Sequence, residues 1–172
     1  ISTKDLNEYF ENKLKSLYSE AILDSFVCEN LDSIEMPLTV ELFYHLPEYT
    51  NDTGTIVYFT PPFITRTKKN PFIREKRQFP VDYLYDYTQT ETIMINFPDS
   101  YSISEKPKVS SGRMENLSFS KIYFGNENSI ECRRKFNLGR TQFQPKEYTI
   151  LRKIYDTIVN SDQDQIVLNH LE

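Results

Sequence analysis

The stretch MENLSFSKIYFGNENSIECRRKFNLG, Met114 to Gly139, decides the fold. Its second half alternates. Ile130, Cys132, Phe136 and Leu138 share one face of an extended chain, and Glu131, Arg133, Lys135 and Asn137 share the other. A helix would scatter the same residues around its surface, because its period is 3.6. GNEN at 125–128 supplies the polar residues of a tight turn between the two halves. Two strands joined by so short a turn pair antiparallel.

The same period recurs outward from this hairpin. In ETIMINFP, Ile93, Ile95 and Phe97 share a face. In PLTVELFYHL, Leu38, Val40, Leu42 and Tyr44 oppose Thr39, Glu41 and His45. AILDSFVCEN, TIVYFT, YSISEKP and QIVLNHL read as further strands. Helical spacing appears only near the ends. Ser2 and Asp5 stand at capping-box spacing before Leu6, Phe10, Leu14 and Leu17, which predicts a helix over about residues 4–18. Pro145 precedes a stripe of Tyr148, Leu151, Tyr155 and Ile158. PPFITRTKKNPFIREKRQFP, residues 61–80, has four prolines and six bases, so it reads as a long ordered crossing with room for a helical turn. The expectation is a mainly β fold: an antiparallel β-sandwich of about eight strands with short helices near the N- and C-termini. Residues 1–20 form the helical segment and residues 21–172 the sandwich with its C-terminal helix, one structural domain overall.

Composition narrows function by exclusion. Only four glycines occur, against nine prolines, which disfavours phosphate-cradling loops. The formal charge of −5 gives no general nucleic-acid or anionic-membrane footprint. No apolar run approaches the ~20 residues needed to span a bilayer. The sequence starts at Ile1, which is not an initiator residue and reads as an excised or processed start. Cys28 and Cys132 lie inside strand-like runs and read as two small buried hydrophobes, with a disulfide left open. Neither sits at a helix N-terminus, and His45 and His170 are the only imidazoles, so no Cys-His catalytic pair is expected. Asp162 and Asp164 in SDQDQ, and Asp82 and Asp86 in DYLYD, lack the other elements of a calcium or zinc site. The expectation is therefore no catalytic residue, no metal and no cofactor.

Two features remain as candidate binding residues. Charge is unevenly spread: residues 1–65 carry 11 acids and 3 bases, whereas residues 66–77 carry 6 bases and 1 acid. Arg74, Lys76 and Arg77 stand in that basic stretch among Phe63, Phe72 and Phe79. Such a mixture suits single-stranded nucleic acid, but an internal or inter-domain electrostatic contact, with the acidic residues 1–65 available to answer it, explains it more economically. Tyr83, Tyr85 and Tyr87 alternate, so an extended chain would place three rings on one side about 7 Å apart. That ladder suits stacking on a glycan, or packing with each hydroxyl on a polar partner; packing is the favoured reading.

KKNPFIREKRQFPVDYLYDY, ETIMINFPDSY with EKPK behind it, FQPKEYTILRKIYDTIVNSDQDQIVL and the earlier NLDSIEMPLTVELFYH occur in an order that resembles the C-terminal region of transglutaminase-like proteins of Bacteroidetes. The likeness runs from about Asp5 to Leu168. In that family a β-rich domain of unknown function precedes a papain-like transglutaminase core, and a second β-domain of unknown function follows it. The resemblance implies a periplasmic, extracellular or cell-envelope setting. It also implies a non-catalytic accessory module that packs against, or positions, a catalytic domain elsewhere in the parent protein. The alternative is an independent glycan- or protein-binding module.

Overall fold

The computed structural model describes residues 2–171. Among these are two α-helices and twelve strands, every pairing of them antiparallel. The mainly β fold with a helix near each end is thus the one the alternation predicts. The residues divide into two compact units, 1–49 and 50–172.

In the first unit, α1 (Thr3–Leu17) begins at the expected capping box. The Asp5 amide donates to Ser2 Oγ at 3.2 Å, and the Ser2 amide donates to the Asp5 carboxylate at 3.1 Å. Phe10 and Leu14 are its buried residues, and Phe10 meets the Phe26 ring at 5.2 Å. Phe26 lies in β1 (Ile22–Glu29), which pairs with β2 (Thr39–His45). The helix therefore groups with this hairpin, and one stripe of the helix finds its apolar cover there.

The second unit is built from β3 (Asn51–Asp52), β4 (Ile56–Phe59), β5 (Val81–Asp82), β6 (Tyr87–Asn96), β7 (Tyr101–Glu105), β8 (Ser110–Met114), β9 (Leu117–Gly125), β10 (Ser129–Leu138), β11 (Gln142–Phe143), α2 (Tyr148–Ser161) and β12 (Ile166–His170). One four-stranded sheet runs β6-β10-β9-β8, and another runs β3-β4-β12-β7. β5 and β11 form a two-residue pairing of their own. The predicted hairpin joins β9 to β10 through 126–128, where the Asn126 amide donates to the Ser129 carbonyl at 2.8 Å.

A second tight turn lies inside MENL. Met114 pairs with Leu117, and Asn116 carries the bend at φ 57°. Asparagine tolerates this left-handed backbone better than most side chains. The core gathers on one face of the β6-β10-β9-β8 sheet, where Leu117, Phe119, Phe136 and Leu138 meet Leu151, Ile154, Tyr155 and Ile158 of α2. Gly112 in β8 permits the close approach: a Cβ there would sit 3.1 Å from the Ile154 side chain.

Candidate functional site

The alternation that puts Phe136 inside also puts Arg134 inside. In the register of β6, β10 and β9, Arg134 lies opposite Glu91 on one side and Lys121 on the other. Opposite residues in paired strands project to the same face, so three charged groups form one row across the sheet. Lys121 and Arg134 are buried, at 0% and 3% exposure. Asp162, which ends α2 and is itself buried, answers them. Arg134 donates to both Asp162 oxygens at 3.1 Å, and Lys121 Nζ stands 3.6 Å from the same carboxylate. Lys121 also donates to the Ser161 carbonyl at 2.6 Å and lies 4.8 Å from the centre of the Phe63 ring. Burial pulls the Lys121 ammonium below its ordinary range, and Asp162 and Asp164 oppose that pull. Burial likewise raises the Asp164 carboxyl.

This ionic row fastens the crossing segment. Residues 60–80 contain no helix or strand, so their amides need other partners. The Thr67 amide donates to Asp162 at 2.8 Å. The Thr65 hydroxyl accepts from Arg134 at 2.8 Å and donates to Glu91 at 2.5 Å. The Ile64 amide also donates to Glu91. Further along, Asn70 donates to the Arg152 carbonyl at 3.0 Å and to Asp156 at 2.7 Å, both on α2. The segment is an ordered crossing, as its prolines and bases suggest.

Of the candidate binding residues, Arg74, Lys76 and Arg77 are all exposed on this fastened segment. The Arg74 carbonyl accepts from the Tyr148 hydroxyl at 2.9 Å, and Arg74 and Arg77 line a hollow of about 350 Å³ with Ile73 and Phe72. The three tyrosines do not form a regular ladder, because the chain bends at Leu84 and Tyr85, between β5 and β6; all three still line one hollow of about 290 Å³ with Asp82 and Leu84. Tyr83 is half-buried: its hydroxyl lies 3.0 Å from that of Tyr155, and its ring meets Phe143 edge-on. Tyr87 packs on Phe136, and Tyr85 stands 66% exposed beside it at 61°. The regular alternation requires an unbroken strand, and here a bend interrupts it.

The cysteines are both free. Cys132 is buried, and burial pushes its thiol up to about 12. Cys28 is only half-buried, a correction to the reading of two buried thiols. Within the first hairpin Cys28 pairs with Val40 and His45 with Ile22, so six residues of strand separate them, about 20 Å. His45 instead meets Asp24 at 3.0 Å. Asp162 is the counter-ion of two cations, and Asp82 accepts from Gln142 at 2.8 Å. Sequence reasoning missed Lys121, Arg134 and Glu91. The usable signal was their period: Arg134 falls between Cys132 and Phe136 on the apolar face, and Lys121 between Phe119 and Tyr123.

Comparison with known proteins agrees with this fold. The crystal structure of a protein from Parabacteroides distasonis ATCC 8503, described as a "putative protease", superposes with a TM-score of 0.56 at 15% identity. The match covers 68% of this chain and 24% of that one, so this chain spans about a quarter of its structural neighbour. No curated protein matches the chain significantly. A family match covers residues 55–168, from β4 to β12, and the chain belongs to that family, the Domain of Unknown Function with solved-structure structure (DUF3858).

Proposed function

We propose that this chain is a non-catalytic accessory module that packs against, or positions, a transglutaminase-like catalytic domain within a longer exported protein of the periplasm or cell surface. The observation that carries the reading is the strip around the crossing segment and the bend after it. Ile73, Phe79 and Leu84 stand 83%, 75% and 97% exposed among Arg74, Lys76 and Arg77. Apolar side chains left this bare on a fastened backbone mark an interaction surface. Interleaved cations favour an acidic counterpart and set its orientation. Two further observations support a module without its own chemistry. The buried charges are engaged with one another, and the Cys132 thiol is held protonated by burial. The span of about a quarter of the structural neighbour fits a part of a larger chain.

The test is an association assay between this chain and the remainder of its parent protein. Changing Arg74, Lys76 and Arg77 together to Gln should weaken binding at least about tenfold and flatten its salt dependence. Unchanged affinity would remove the docking role from this strip. Retained docking together with glycan binding lost in Tyr85→Ala would favour the recognition-module reading instead.

A further inference from the structure

The solvent face of the β6-β10-β9-β8 sheet has a composition of its own. Arg113, Ser118, Asn137 and Thr88 are directly opposite one another across the four strands. The next row is Ser111, Ser120, Lys135 and Thr90. In the row after that, Ile122 and Thr92 flank Arg133, and beyond it Phe124 and Met94 flank Glu131. This face thus holds two four-residue rows of hydrogen-bonding side chains without an apolar member. Its cations are Arg113, Lys135 and Arg133, and its acid, Glu131, is already paired with Arg133. That balance is opposite to the chain's overall charge of −5.

At one end of the face lies a hollow of about 630 Å³, lined by Arg113, Ser118, Asn137, Glu115 and Asn116. The Asn137 carbonyl oxygen accepts from the Thr88 hydroxyl at 2.7 Å, which leaves its amide N–H groups free to donate outward. Arg113 is exposed and has no hydrogen bond or ion pair among the described residues. Arg113, Asn137 and Ser118 thus bring a guanidinium, an amide and a hydroxyl to a hollow that Met114 and Leu117 also line, the polar set that holds a carboxylate flanked by hydroxyl groups. Glu115 on the rim confines the anionic group to the Arg113 side. Lys135 stands two strands and one row away, about 12 Å at the backbone, where it meets a second carboxylate of a repeating chain.

We infer that this face binds an acidic oligosaccharide of uronate type, seated on Arg113, Ser118 and Asn137 and continuing over Lys135. The site is separate from the docking strip and does not depend on it. The probe is tetragalacturonate, titrated into the intact chain by calorimetry at low salt, with maltotetraose and tetraglutamate as comparisons. Binding of tetragalacturonate is expected, weakened at least about tenfold by Arg113→Gln and further by Lys135→Gln, and weakened again at high salt. The exposed Arg113 side chain makes no hydrogen bond or ion pair among the described residues, so its variant should keep the wild-type melting temperature. No binding of tetragalacturonate, or binding indifferent to Arg113→Gln, would overturn the inference. Equal affinity for maltotetraose would overturn the carboxylate assignment, and equal affinity for tetraglutamate the sugar assignment.

Discussion

Asp162 is one carboxylate facing two buried cations, and the wall around it depends on that imbalance being answered. Breaking a buried ionic set by removing one partner leaves an uncompensated charge in the interior. Asp162→Asn should therefore cost about 3–5 kcal/mol in urea unfolding, since Arg134 and Lys121 would both lose their counter-ion. A loss below about 1 kcal/mol would show that Asp164 and Glu91 suffice without it. Lys121 gives a pH signature. Its native proton is held below the ordinary 10.5, so the unfolded chain keeps that proton to higher pH. Between the lowered value and 10.5 the unfolded state binds more protons, and stability climbs with pH. Tyrosines raised by burial act in the opposite sense in alkali, so the informative quantity is wild type minus Lys121→Met. That difference should rise from neutral pH toward the ordinary lysine value. Parallel stability curves would contradict the burial of a charged Lys121.

At the scale of elements, strand periodicity was readable wherever alternation was clean. It exposed the β9-β10 hairpin, the long β6 and β10, and both helices. It failed where the elements are short or lack contrast. Ser110–Met114 contains no apolar alternation, so β8 was invisible, and the turn at Glu115–Asn116 lacks glycine. β3, β5 and β11 have two residues each, too few to show any period. The tyrosines of 83–87 show the limit from the other side: the pattern was present, but the bend between β5 and β6 uses it differently. Their inequality is measurable. Tyr83→Ala removes a ring packed on Phe143 and a hydroxyl facing Tyr155, and should cost about 2–4 kcal/mol. Tyr85→Ala should stay within about 1 kcal/mol of wild type. Equal losses in thermal unfolding would restore a common structural role.

For the whole molecule, charge and exposure divide the labour. In the second unit the inner face of one sheet carries a core and an ionic row that fastens residues 60–80. That row was hidden from composition, because the same Arg and Lys residues serve solvent faces in most strands, and only tertiary cover turns them into buried ions. The exposed basic stretch, by contrast, was legible, since a run of six bases in residues 66–77 stands out against the acidic remainder. Holding such a stretch in one conformation lowers the entropy lost on docking. The most direct measurement is amide hydrogen exchange of the proposed longer parent protein compared with this chain alone. Docking predicts that residues 71–87 exchange at least about tenfold more slowly in the parent, while β9 and β10 exchange alike in both. Identical exchange across 71–87 in the two proteins would contradict it.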